Sequence, residues 1–242
     1  MNVSVQEAET TAFVRDEELW FPDGNVVLEA QGRAFRVYQG LLAHHSEIFR
    51  DLFTVPQPTT TEMYEECPIV HLTDQPEDLR QLLRVIYHGN RYYPADEQLE
   101  FAIVAALVRM SHKYAIEHIR DSYLSRMKSC FCEDLDDFRN FRSQSGSPSM
   151  KLCVTATDAI AAVNIARLTE TLSMLPSALF FCCLLKTETL INGHPRADGT
   201  LDCLSPADVI KCIDALSQIN RHRAYLAAGY VASDAGTRES AY

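Results

Sequence analysis

Phe35-Arg-Val-Tyr-Gln-Gly-Leu-Leu-Ala-His-His-Ser-Glu-Ile-Phe-Arg-Asp-Leu-Phe53 is the stretch whose reading decides the fold. Its first four residues alternate apolar and polar, the period of a strand with one buried face. From Leu41 the period changes. Leu41, Leu42, His45, Ile48, Phe49, Leu52 and Phe53 follow the i, i+3, i+4, i+7 stripe, which predicts an amphipathic helix over 41–53 with Gly40 just ahead of it. Upstream, Val26-Val27-Leu28 reads as a second strand, and Gln31-Gly32 supplies the turn that joins the two runs into a hairpin. Pro22-Asp23-Gly24 is turn chemistry before it, because Pro presets φ and Gly admits φ > 0. Residues 1–18 are polar and aperiodic and read as a flexible leader.

Downstream, residues 54–68 carry Pro56, Pro58 and Pro68, three threonines and Glu62, Glu65 and Glu66, the composition of a solvated acidic loop. Ile69 to Leu72 reads as a short strand. Thr73 to Asp78 then opens a helix, with Pro early and acids in the first turn where the helix dipole favours them. Leu79, Leu82, Leu83, Ile86 and Tyr87 share its buried face, and Gly89 is its terminating glycine. Helices are predicted over 96–113 and 117–130. Residues 131–150, acidic and then Ser-rich, read as a linker. A helical region over 151–230 follows, with helices at 156–173, 176–190 and 206–228 and a Gly/Pro-containing loop at 192–199. Residues 231–242 read as a small, polar tail. The fold class is α+β in the first half and mostly helical in the second.

The net charge of −11 argues against direct nucleic-acid binding, which calls for a basic stripe against phosphates. It gives no help on an anionic membrane surface. The first residues lack the basic and apolar regions of a signal peptide, and the apolar run 175–185 is too short to span a bilayer. An intracellular protein of the cytoplasm or nucleus is expected. In that setting the eight cysteines read as buried thiols, and Asn2-Val3-Ser4 as an accidental sequon.

No catalytic constellation emerges. There is no C-x-x-C, H-E-x-x-H, P-loop, G-x-G-x-x-G or G-x-S-x-G. Cys130-x-Cys132 and Cys182-Cys183 lack the spacing and histidine partners of a zinc site. Asp134, Asp136 and Asp137 lack the glycine and later glutamate of a calcium loop and read as a solvated face. No catalytic residue, metal or cofactor is expected.

The order of elements and the register of Phe35, Leu42, Ser46, Phe49 and Phe53 resemble the BTB/POZ family. That family's core begins D-V-x-φ and continues F-x-x-H-[KR]-x-x-L-x-x-x-S-x-x-F; here the run is Asn25 to Leu28 and then Phe35 to Phe53. The strand at Ile69, the helix 76–88 and the tyrosine-rich turn Tyr87 to Tyr93 fall where the family has them. The resemblance covers residues 19–130. FPDGNVVLEA, HSEIFRDLF and CPIVHLTDQPEDLRQLL are similar to a large fungal, basidiomycete-like set of BTB-containing proteins. The resemblance implies a small sheet flanked by helices and a non-catalytic protein–protein interaction module, a scaffold that homodimerises. It also implies two alternatives: a substrate adaptor bound to a cullin, or a transcriptional regulator acting through protein partners. The implied contact residues are Trp20, Phe21, Asn25, Tyr38, Gln39, Leu41, His45, Phe49 and Phe53. Dimeric transcription-factor members carry an acid at the position of Asn25, a base at that of Gln39 and a histidine at that of Tyr38. With neutral residues at the first two, the charged co-repressor pocket is not implied here.

Overall fold

The computed structural model describes residues 13–54, 62–89, 92–94, 97–144 and 151–239. The chain divides into two compact units, Met1–Leu124 and Ser125–Tyr242.

The first unit is built on a five-stranded mixed sheet. Its strands are β1 (Val14–Trp20), β2 (Val26–Ala30), β3 (Arg33–Val37), β4 (Met63–Tyr64) and β5 (Cys67–Leu72), in the spatial order β1-β3-β2-β5-β4. β2 and β3 form the expected hairpin, with Leu28 opposite Phe35 and Ala30 opposite Arg33. Its two-residue turn puts Gln31 at φ 45° and Gly32 at φ 86°, the doubly left-handed geometry that suits the twist of a tight hairpin. β2 also pairs parallel with β5, and β1 pairs parallel with β3.

The two-residue period sorts the faces. Val27, Ala34, Cys67 and Ile69 form one buried cluster, covered by Phe13, Trp20 and Tyr64. The opposite face carries Leu28 and Phe35, both fully buried, with Leu42, Phe49, Leu79, Leu82 and Leu83 in the same core class.

The predicted helix 41–53 is in fact two: α1 (Gln39–His45) and α2 (Glu47–Thr54). The break is at Ser46, whose backbone is extended. Its N–H closes α1 on the Leu42 carbonyl, and its Oγ accepts the Phe49 N–H at 3.1 Å to open α2. The same hydroxyl donates to the Tyr114 carbonyl at 2.6 Å. The apolar stripe runs through the break, so periodicity alone did not show it. α3 (Pro76–His88) begins and ends as expected, on Pro76 and on Gly89 at φ 56°. α4 (Phe101–Lys113) starts later than the predicted 96, because Glu100 is extended. α5 (Glu117–Cys130) has the predicted limits, and the division between the units falls inside it.

Two further expectations are corrected in this unit. The leader reading of 1–18 is wrong from Val14 onward, where β1 begins; residues 1–12 lie outside the described residues. The acidic loop 54–68 ends in a β4–β5 hairpin turning on Glu65 and Glu66, both with positive φ, while residues 55–61 lie outside the described residues.

In the second unit, α6 (Leu135–Gln144) occupies half of the stretch 131–150 whose composition reads as linker. The acids read as a solvated face are exposed, and they also start this helix: Asp134 Oδ1 accepts the N–H groups of Asp136 and Asp137 at 2.8 and 3.1 Å. Phe138 holds α6 against α8 (Leu175–Cys182), with its ring centroid 5.7 Å from Phe180 and 5.4 Å from Phe181. α7 (Asp158–Leu168) is shorter than predicted and is followed by a single 3₁₀ turn, Leu172–Met174. The predicted helix 176–190 is divided between α8 and α9 (Thr187–Asn192). The loop after it contains a small hairpin of β6 (His194–Pro195) and β7 (Leu201–Asp202). α10 (Pro206–Glu239) continues well into the stretch read as a tail. Its start is tied to α7 by Arg167 on Asp208 at 2.7 Å, which holds the Asp208 carboxyl below its usual range.

Candidate interaction surface

The residues implied as contacts fall in three places. The first is the entrance to α1. Phe21, Tyr38 and Tyr87 gather their rings, with centroids 5.2 Å apart for Phe21 and Tyr38 and 5.1 Å for Phe21 and Tyr87. The Tyr87 hydroxyl accepts the Tyr38 N–H at 2.9 Å and donates to the Tyr38 carbonyl at 3.0 Å, fixing the residue that precedes α1. Burial pushes the Tyr87 phenol well above its ordinary pKa, so it stays a donor at any physiological pH. The Tyr38 hydroxyl donates to Asp23 at 2.5 Å. Asn25 and Gln39 do meet: the Asn25 Oδ1 accepts the Gln39 N–H at 2.8 Å and satisfies one of the free donors of the first turn. A neutral amide does here what a carboxylate would do with a charge.

The second place is α1 itself. Leu41 and His45 are half-buried on it. His45 lies between His44 and His118, at centroid distances of 5.4 and 5.5 Å. Burial, then the fields of His118 and His44, lower its pKa. Phe49 does not belong to the surface. It is fully buried and stacks on Tyr114 at 4.1 Å with nearly parallel planes, which makes it a core residue. Phe53, half-buried, stacks beside it at 5.9 Å.

The third place is separate. Trp20 follows the pleat to the other face of the sheet from Phe21. There it packs with Phe13 and Tyr64 under the Arg15 guanidinium, which lies 4.8 Å from the Trp20 ring centroid and 5.0 Å from that of Tyr64. It is a roof over the second core cluster rather than part of the patch at α1.

Sequence reading missed the groups that hold these places in position. Asp16, only 2% exposed, receives Arg33 and Arg80 at 3.3 and 3.1 Å as well as two backbone N–H groups of its own strand. Glu18 takes Arg84 at 2.7 Å. The pairs with Arg80 and Arg84 join β1 to α3 across more than sixty residues of chain, so no local pattern announces them. Tyr87, Asp23, His44 and His118 were missed too. Only Tyr87, at the head of a tyrosine-rich turn, carried a visible signal.

Among the described residues, no group of three or more His, Cys, Asp or Glu side chains could hold a metal ion, and no helix is long and apolar enough to cross a membrane. No curated protein matches the chain. The family model for the BTB/POZ domain matches residues 21–130. That span runs from the aromatic patch before α1, through β2 to β5 and α1 to α4, to the last residue of α5, and leaves β1 just ahead of it. A five-stranded mixed sheet flanked by helices, followed by a mostly helical region, is the architecture that goes with the match; residues 21–130 of this chain are a BTB/POZ domain, a non-catalytic protein-interaction module.

Proposed function

We propose that this chain is a scaffold that associates with a second copy of itself through the entrance to α1, using Phe21, Asn25, Tyr38, Gln39, Leu41 and His45. The observation that carries this reading is the preorganised patch at that entrance. Three rings, a fixed tyrosine backbone and the Gln39 N–H bonded to the Asn25 side chain are assembled there on an element held by internal hydrogen bonds. Preorganisation lowers the ordering cost of association. The neutrality of Asn25 and Gln39 works in the same direction, since burying this surface against a copy strands no charge at those positions.

Light scattering on the full chain over a range of concentrations tests the reading. A mass rising from 27.3 kDa towards twice that value, and held at 27.3 kDa by Leu41→Glu, is the expected result. A wild-type mass of 27.3 kDa at every concentration overturns it. The cullin-adaptor and transcriptional-regulator readings, and the likeness to the fungal set, rest on the resemblance of residues 19–130 alone.

A further inference from the structure

His71 projects from β5 on the face of the sheet that carries Val27, Cys67 and Ile69, where the two-residue period also brings Glu29 of β2. Its Nδ1 is 2.7 Å from Glu29 Oε2, and its Nε2 is 2.9 Å from Glu62 Oε2. A carboxylate only accepts, and a neutral imidazole has one N–H. Both contacts are therefore hydrogen bonds only when the ring is doubly protonated. The two carboxylates approach opposite nitrogens, so they do not converge on a point where a metal could sit.

Glu62 is the residue from which the β4–β5 hairpin begins. Its carbonyl also accepts the Ile69 N–H at 2.9 Å. Two residues further, Tyr64 lies against Trp20, with ring centroids 6.0 Å apart. We propose that the His71 imidazolium is a proton-operated latch for this hairpin: charged, it holds Glu62 to the sheet, and on losing one proton it releases Glu62 and lets Tyr64 move on Trp20.

The order of release follows from the surroundings. The Glu29 side chain is 15% exposed, and its other oxygen accepts the Gly32 N–H at 2.6 Å, so it keeps the remaining imidazole proton. The Glu62 side chain is 58% exposed and is readily hydrated when let go. Among the described residues, the charged groups facing the ring are Glu29 from β2 and Glu62 ahead of β4, and residues 55–61 before Glu62 contain no titratable side chain. Both carboxylates raise the proton affinity of His71, so the latch opens on the alkaline side of an ordinary histidine. The inference is independent of self-association.

Trp20 is the only tryptophan in the chain, so its emission reports this contact without labelling. The experiment follows Trp20 fluorescence and the His71 ring resonance of the full chain from about pH 5.5 to 9, in the wild type, His71→Gln and Glu62→Gln. In the wild type both signals are expected to change together, with a midpoint above the ordinary histidine value of about 6.5. The emission change is expected to vanish in His71→Gln, and its midpoint to fall by roughly half a pH unit in Glu62→Gln, the size of one exposed ion pair. A His71 resonance that titrates at or below 6.5 overturns the double clasp. Emission that follows pH identically in wild type and His71→Gln overturns the coupling to Trp20. His71 is half-exposed on the sheet, so its replacement leaves the core intact for the comparison.

Discussion

Ser46 closes one helix and opens the next, and its buried hydroxyl also holds the end of α4 through the Tyr114 carbonyl. Ser46→Ala removes a cap and leaves that carbonyl without its partner. A loss of about 1–3 kcal/mol in urea unfolding is expected. Glu66 presents the opposite case. It sits at φ 66° in the β4–β5 turn, where a side chain is strained and glycine is not. Glu66→Gly is expected to stabilise by about 0.5 kcal/mol after glycine's own entropy cost, read from the same unfolding curves. Glu65 gives no such gain, since its carboxylate holds Arg15 and Arg36 at 2.7 and 3.1 Å. The two perturbed histidines pull stability in opposite directions with pH. His71 has a raised folded pKa, so its contribution is complete below about 6.5 and is lost as pH rises through the raised value. His45 has a lowered one, so the unfolded chain takes up protons first and stability falls as pH drops below about 6.5. Unfolding measured from pH 5 to 9 should show the acid-side slope flattened by His45→Gln and the alkaline-side slope flattened by His71→Gln.

Among the elements, β1 was the hardest to foresee and is among the most consequential. Its sequence, VRDEELW, is acidic and poor in β-branched residues, so nothing local marks it as a strand. What fixes it is distant: Arg80 and Arg84 of α3 on Asp16 and Glu18, and the Gly32 carbonyl on the Val14 N–H. A fragment of residues 13–130 should therefore be more stable than one of residues 19–130, which lacks Asp16, Glu18 and the strand itself. Asp16 is buried with its arginines, and removing one side of such a pair costs about 3–5 kcal/mol. Thermal melts of the two fragments test this. The β2–β3 hairpin and α3 were legible because their signals are local: alternation, a left-handed turn pair, an early proline and a closing glycine. The α1–α2 break was hidden because Leu42 and Phe49 stay buried on both sides of Ser46 and the stripe survives it. At the surface, the structure gathers Phe21, Asn25, Tyr38 and Gln39, contacts implied by the resemblance, at one place before α1. Trp20 was not separated from them, because the alternation that turns it to the other face applies only once residues 14–20 are known to be a strand, and nothing local marks them as one.

For the molecule as a whole, charge sets the terms of association. Two copies each carrying −11 repel at long range, and salt screens that repulsion over distances of about 10 Å at 0.1 M. If neutral residues form the contact, raising the ionic strength should tighten self-association rather than weaken it. Light scattering at about 0.05 and 0.5 M salt reads the sign. Tightening that disappears in Leu41→Glu belongs to the entrance of α1; tightening that survives belongs to another surface.

Arg15 stands on one edge strand of the sheet and Glu65 at the turn of the hairpin that forms the other edge, fifty residues later, yet their side chains are bonded across the sheet face, and Tyr64 joins them. A force applied at the N-terminal end of β1 would meet this bridge early. The mechanical load would then pass to the far edge of the sheet instead of peeling the strands one by one from the near edge. Cutting the bridge with Glu65→Ala and Tyr64→Phe together should convert a single abrupt rupture of the sheet, read by single-molecule pulling, into a stepwise unravelling that starts at β1.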